Sequence, residues 1–202
     1  MKNVIIVGVG ALGSHVALLA RNWKVQLTLV DFDRIEQKNT QAQFHTRMGL
    51  RQNKAQALAK SLQGLYGLRV GVVPHKLTKD NVHALLGEAD LVIDCTDNIA
   101  ARQLIQDYAL CRGVGGFHRQ KGKLPCLHGC LSADGTFARV IWTEHFTPDP
   151  EGAEGEATCE DGEQLPFFAL ASAQVALVAQ RFLADEVRAS YQMGPGSIVR
   201  LA

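Results

Sequence analysis

Two groups of residues in this chain have the types and spacing needed for chemistry on phosphates. One is the glycine-rich run Gly8-Val9-Gly10-Ala11-Leu12-Gly13, and the other is Asp94-Cys95-Thr96-Asp97-Asn98. Glycines let a phosphate approach the backbone, and a helix starting behind them offers N–H groups and the positive end of its dipole. A carboxylate at the C-terminal edge of a parallel strand lies in the crevice where ligands collect, and Mg²⁺ takes one or two such carboxylates beside phosphates and water. Asp97 stands at that edge as a candidate ligand residue, with an N-cap on the following helix as its bland alternative. Asp94 is divided between a ligand and a structural hydrogen-bonding role. Asp31, closing the run Val25 to Val30, is placed to accept hydrogen bonds from ribose hydroxyls.

These groups need a scaffold of alternating strands and helices. Val4-Ile5-Ile6-Val7 is a β-branched run typical of a strand buried on both faces, and Leu12, Val16, Leu19 and Ala20 recur at helical spacing behind the glycines. A polar loop runs through Gln43, and a helix is expected from Gly49 to Leu65 with Ala55, Leu58, Ala59 and Leu62 on its apolar face. Leu68 to Val73 reads as a third strand, Asp80 as the N-cap of a short helix to about Leu86, and Ala89 to Ile93 as a fourth strand ending at Asp94. A helix follows from Asn98 to Cys111. Beyond Gly113 the alternation stops: Leu124 to Leu131 and Thr136 to Trp142 are β-rich and joined by a hairpin turn at Ser132 to Gly135. Thr147 to Glu163 reads as a mobile crossover loop, Pro166 opens an apolar helix to about Ala184, and Ser197 to Leu201 is a possible last strand. The pattern predicts an α/β fold, a Rossmann-like, mainly parallel sheet flanked by helices with an antiparallel C-terminal extension. One domain over 1–202 is expected, its nucleotide-binding half about 1–112 and the remainder about 113–202.

Composition narrows the partners. Twenty-one Lys and Arg against 20 Asp and Glu leave a net charge of +1, which gives no long-range attraction to nucleic acid or an anionic membrane. No segment is read as long and apolar enough to span a bilayer, and the N-terminal apolar run is read as the first strand and not a signal peptide. Five cysteines, Cys95, Cys111, Cys126, Cys130 and Cys159, are odd in number and irregularly spaced, which suits reduced thiols and a cytoplasmic location.

Several polar landmarks then fall in order: the run Gly8 to Gly13, Asp31-Phe32-Asp33, Asn39 with Gln43, Lys54, and Asp94 to Asn98. In this order the chain resembles the adenylating enzymes that activate ubiquitin-like and sulfur-carrier proteins, the ThiF, MoeB and ubiquitin-activating-enzyme superfamily. The resemblance implies ATP and magnesium as cofactors and a small β-grasp carrier protein with a C-terminal glycine as partner. The reaction it implies is adenylation of that glycine's carboxylate. It implies a nucleotide site of Gly8, Gly10, Leu12, Gly13, Asp31, Asp33, Asn39, Gln43, Lys54, Asp97 and Asn98, with Lys54 on the phosphates and Asp97 on the metal. Asp33 is read as a loop-ordering carboxylate.

Cys159 occupies the place of the cysteine that takes the activated carrier in many relatives, although Glu156, Glu160 and Asp161 disfavour its thiolate. The family usually carries an arginine where this chain has Ala42, so one fork on the triphosphate is missing. Arg47, Arg51 or a partner chain would have to replace it. The chain also starts directly on its first strand, without the preceding helix that many relatives use across a dimer. A homodimer is expected, with burial available on the Pro166 to Ala184 helix. Zinc is not expected, since no paired C-x-x-C occurs. Cys126, His128 and Cys130 share one strand face and are read as lining a channel for the carrier tail or as small core residues. Two alternatives stay open: a weakened or non-catalytic binding subunit, motivated by Ala42, and an NAD-dependent oxidoreductase, which leaves Lys54 and Asp97 unexplained.

Overall fold

The computed structural model describes residues 1–111, 123–132, 134, 136–147 and 162–201. Among them the chain runs β1 (Lys2–Val7), α1 (Gly13–Leu19), β2 (Val25–Val30), α2 (Asn39–Ala42), α3 (Lys54–Tyr66), β3 (Gly71–Val73), α4 (Val82–Leu86) and β4 (Leu91–Asp94). It continues through α5 (Ile99–Ala109), β5 (Cys126–Leu131), β6 (Ala138–Trp142), α6 (Leu165–Asp185), β7 (Tyr191–Gly194) and β8 (Ser197–Arg200). The strands form one sheet in the order β3-β2-β1-β4-β5-β6-β7-β8. Pairing is parallel from β3 to β5 and antiparallel from β5 to β8, the sheet expected from the sequence.

Successive residues of a strand point to opposite faces, so β1 feeds two apolar clusters. Val4 and Ile6 enter one with Leu27, Leu29, Leu58, Leu62, Ile93 and Val175, while Ile5 and Val7 enter the other with Val30, Val92, Leu86 and Ile105. Helices α1, α3 and α6 therefore cover one face of the sheet, and α4 and α5 the other. The order reverses at β1, with β2 on one side and β4 on the other. In open parallel sheets such a reversal opens a crevice beyond the C-terminal strand ends.

Several boundaries depart from the sequence reading for local reasons. The third helix begins at Lys54, not Gly49, because Arg47–Gly49 forms a 3₁₀ turn and Asn53 caps the helix. Its far end closes on Gly67, whose φ of 68° is the left-handed conformation that suits glycine. Of Leu68 to Val73 only Gly71–Val73 pairs with β2. Asn81, not Asp80, precedes α4, and its Oδ1 accepts from the Thr78 backbone at 2.8 Å. The tail holds two strands, since Tyr191–Gly194 pairs with both β6 and β8. A short helix, α2, occupies part of the expected polar loop.

One compositional expectation is corrected outright. Helix α6 has 21 residues, and an 18-residue window of it has a mean hydropathy of 1.5, which is long and apolar enough to cross a membrane by length and composition. Here Phe167, Phe168, Ala171, Val175, Val178, Ala179 and Phe182 are buried in the main cluster against the sheet and α1. Burying a side chain such as Phe168 contributes about 1.5–3 kcal/mol, so sheet packing accounts for that half of the apolar helix.

Candidate nucleotide site

The glycine-rich turn and the Asp94 segment meet at the end of β1. Gly8 has φ +81°, and a β-carbon there would lie 2.9 Å from the Cys95 carbonyl oxygen and 3.0 Å from Thr96 Cα. Only glycine lets the two backbones come this close. The Cys95 N–H donates to the Val7 carbonyl at 2.8 Å, which continues the β1–β4 register past the strand ends. At Gly13 a β-carbon would lie 1.9 Å from the Gly8 carbonyl, so this glycine lets the first turn of α1 sit directly on the strand end. Gly10 differs. A β-carbon there would meet only the Gln43 carboxamide, at 3.9 Å, so the middle of the turn faces open space. Leu12 is buried, and its carbonyl accepts from Ser172 Oγ at 3.2 Å, tying the turn to α6.

Asp31 is 9% exposed and holds this turn from below. Its Oδ2 accepts from the Val9 N–H at 2.8 Å and its Oδ1 from the Asp33 N–H at 2.9 Å. Burial pushes its carboxyl above the usual range, opposed by those two backbone donors and by Lys54. His45 grips the same residue from the other side, with Nε2 2.9 Å from the Val9 carbonyl. A carbonyl only accepts, so Nε2 carries the proton and Nδ1 is a bare acceptor, without a hydrogen-bond partner among the described residues. Burial, followed by the charge of Lys54, outweighs the bond to Val9 and lowers the imidazole to about 4. His45 is therefore neutral near pH 7 and adds no cation to the site.

Lys54 is the first residue of α3 and is not a solvated lysine on a helix face. Its side chain is 12% exposed, and Nζ lies 3.3 Å from Asp33 Oδ2. Asp33, read as a loop-ordering carboxylate, thus holds the ammonium as well. Asn39 is 4% exposed, with its Oδ1 accepting from the Glu36 N–H at 2.9 Å, which orders the turn into α2. Gln43 Oε1 is buried and has no hydrogen-bond partner among the described residues. Ala42 is fully buried in the main apolar cluster, so its side chain points inward.

The acidic motif divides into two roles. Asp94 is fully buried. Its Oδ1 accepts from Thr96 N at 3.0 Å and Thr96 Oγ1 at 2.8 Å, while Oδ2 lies 2.7 Å from His128 Nδ1 and 4.0 Å from Arg102 Nη1. Burial opposes its ionisation, but Arg102 and His128 outweigh that and hold the carboxyl below the usual range. Asp94 is therefore the structural carboxylate of the pair. Asp97 is exposed, and the cap of α5 is made by Asn98, whose Oδ1 accepts from the Ala101 N–H at 2.9 Å. The capping alternative for Asp97 falls away.

Arg102, Asn53 and His45 escaped the sequence reading. The Arg102 guanidinium donates to the Thr96 carbonyl, the Gly129 carbonyl and Cys130 Sγ, and so ties the acidic motif to β5. A signal existed for Arg102, which lies four residues after Asn98 on the first turns of α5. His128 does not line an open channel: it is fully buried, stacked on Phe146 at 4.1 Å and 3.1 Å from Thr143 Oγ1. Burial pushes the Cys126 and Cys95 thiols well up, with Asp94 adding to both, and neither is a ready nucleophile. Cys159 lies outside the described residues.

The donor set suits a phosphate ligand that brings its own metal. Among the described residues no three His, Cys, Asp or Glu gather around a point, and Asp97 offers one exposed carboxylate. Such a site fits Mg²⁺, which commonly keeps waters and phosphate oxygens as most of its ligands. The open face at Gly10, the Lys54 ammonium and Asp97 lie around the C-terminal ends of β1, β2 and β4.

The ThiF family model matches residues 1–177. A sulfur carrier protein adenylyltransferase of Thermus thermophilus is 33% identical over 163 residues, covering 75% of this chain and 58% of the relative. The SAMP-activating enzyme E1 of Haloferax volcanii is 31% identical over 152 residues, covering 74% and 56%, and an adenylyltransferase and sulfurtransferase MOCS3 of Dictyostelium discoideum is 28% identical over 172 residues, covering 80% and 38%. The chain thus spans between about two-fifths and three-fifths of the length of these curated relatives. Among solved structures, E. coli MccB with ATP superposes with a TM-score of 0.72 at 15% identity, covering 99% of this chain and 63% of that one. At that identity the likeness speaks for the fold alone.

Proposed function

The chain belongs to the ThiF family, and on that premise we propose that it adenylates the C-terminal glycine of a small ubiquitin-like or sulfur-carrier protein, using ATP and Mg²⁺. The observation that carries the reading is the meeting of Gly8 with the Cys95–Thr96 backbone, which sets the glycine turn against the Asp97 loop. Relatives named for adenylyl transfer to sulfur carriers support it. In the proposed reaction a carboxylate oxygen of the carrier forms a bond to the α-phosphorus, and the bond from that phosphorus to the bridging oxygen breaks, releasing pyrophosphate. A carboxylate needs no base at neutral pH, so catalysis comes from alignment and charge neutralisation. Lys54 would leave Asp33 to meet phosphate oxygens, Asp31 would hold the ribose, and Asp97 would ligate magnesium, whose charge neutralises the triphosphate when bound. Gln43 and Asn39 would order the rim of the same site, and Cys159 would take the activated carrier. The exposed Leu170 and Leu177 of α6 support a homodimer through that face.

The test is pyrophosphate exchange with candidate Gly-Gly-terminated carriers, followed by mass spectrometry for a carrier adduct on Cys159. Exchange that requires the carrier supports the reading; its absence with every carrier turns attention to a second reading, a weakened binding subunit, which the inward-pointing Ala42 favours. Retention of carrier binding without exchange would establish that second reading.

A further inference from the structure

Asn53 joins the two halves of this site with one carboxamide. Its Oδ1 accepts from the Gln56 N–H at 3.1 Å and caps α3. Its Nδ2 donates to the Asp31 carbonyl at 2.7 Å and to the Asp33 carbonyl at 3.1 Å. The next backbone N–H, that of Lys54, donates to the same Asp33 carbonyl at 2.8 Å. The residue is 8% exposed, so these bonds form away from water. In sequence, Asp33 and Lys54 are separated by 21 positions of turns and short helices. Backbone bonds also join the two segments, from the Ile35 N–H to the Gln52 carbonyl and from the Arg51 N–H to the Ile35 carbonyl, both at 2.9 Å, and the Asn53 side chain extends this link to the Asp31 carbonyl at the strand end.

We propose that Asn53 is a positioning residue that fixes Asp31 and Lys54 relative to one another, and so sets the affinity of the site for a ribonucleoside triphosphate. The proposal rests on the reading that ATP binds at the glycine turn. A carboxamide is suited to this task because it accepts at one end and donates at the other. Serine and aspartate cap a helix equally well, but an ionised aspartate has no proton to give, and a serine hydroxyl is too short to reach two carbonyls while capping.

That difference separates capping from positioning. Asn53→Ser and Asn53→Asp both keep a cap on α3 and lose the link to Asp31 and Asp33. Calorimetric titration with ATP and Mg²⁺ is expected to show about tenfold weaker binding for Asn53→Ser, the loss of roughly one to two net hydrogen bonds. Asn53→Asp, which also turns a negative charge towards the two carbonyls, is expected to bind more weakly still. In a Lys54→Ala background the same Asn53→Ser change is expected to weaken binding by less than about twofold, because the group it positions is gone. Thermal unfolding of each variant checks that the fold survives at the titration temperature. Asn53→Ser binding ATP like the unmodified protein, or weakening it by the same factor with and without Lys54, overturns the proposal. Unmodified protein that binds no ATP overturns the nucleotide reading beneath it, and that titration alone tells the two failures apart.

Discussion

Replacing Asp94 by asparagine tests whether the buried carboxylate anchors the acidic motif. The change keeps the shape and one acceptor, so Thr96 N and Oγ1 retain a partner, but it removes the charge that faces Arg102 and His128. Arg102 is then left with a side chain only 12% exposed and no buried counter-charge from Asp94. Breaking one partner out of a buried pair costs about 3–5 kcal/mol. The 4.0 Å separation of Asp94 and Arg102 places the expectation at the low end, ~3 kcal/mol, or a fall in Tm of about 6–12 °C for a chain of this size. The pH dependence has a definite sign. The folded carboxyl titrates below its usual value, so its contribution is fully present above about pH 4 and is lost as pH falls through the folded pKa. Urea unfolding at pH 7 should therefore show the full gap between the two proteins, and the gap should shrink in increasingly acid buffers. A gap under about 1 kcal/mol at pH 7, or one that does not narrow on acidification, would refute the reasoning.

Lys54→Ala should lower carrier-dependent pyrophosphate exchange by about 10²–10³-fold, the loss expected for one group aimed at developing charge; normal exchange would remove Lys54 from the phosphate site. Asp97→Asn should raise the magnesium concentration needed for half-maximal exchange while leaving the urea midpoint near that of the unmodified protein, because the side chain is exposed and α5 is capped by Asn98. Gly13→Ala forces a β-carbon to within 1.9 Å of the Gly8 carbonyl, and should cost about 3 kcal/mol in urea unfolding, the upper range for overpacking. Ala42→Arg sets a long cation on a fully buried position, so it should destabilise by about 1–3 kcal/mol; an unchanged midpoint would mean that the arginine escapes to the surface without strain.

Most of the fold was legible because periodicity is a local property. The β-branched runs at Val4 and Val25, and the helical spacing between them, name their own elements, and the hairpin beyond Leu124 announces the break in alternation. The acidic motif was legible as a site, but the division of labour within it was not. Whether Asp94 or Asp97 faces solvent depends on Arg102 and His128, which approach from α5 and β5. Asn53 was invisible for a similar reason: its value lies in carbonyls 20 and 22 positions away, and an asparagine before a helix reads only as a cap. The strand at Tyr191–Gly194 escaped because it is only four residues long and ends in glycine, and it is held as a strand by β6 and β8 on either side.

The register of the sheet has a consequence for how such a site can change over time. Val7 pairs with Val30 on one side and with Asp94 on the other. The ends of β2 and β4, at Val30 and Asp94, are therefore two strand spacings apart, about 9.5 Å. That span is set by the peptide backbone and not by any side chain in the site. Residues in the loops beyond the strand ends can change without altering it. The separation between the loop that begins at Asp31 and the loop that begins at Cys95 does not drift with them. A substitution in either loop therefore changes the groups that face the crevice but not the width of the sheet edge beneath it.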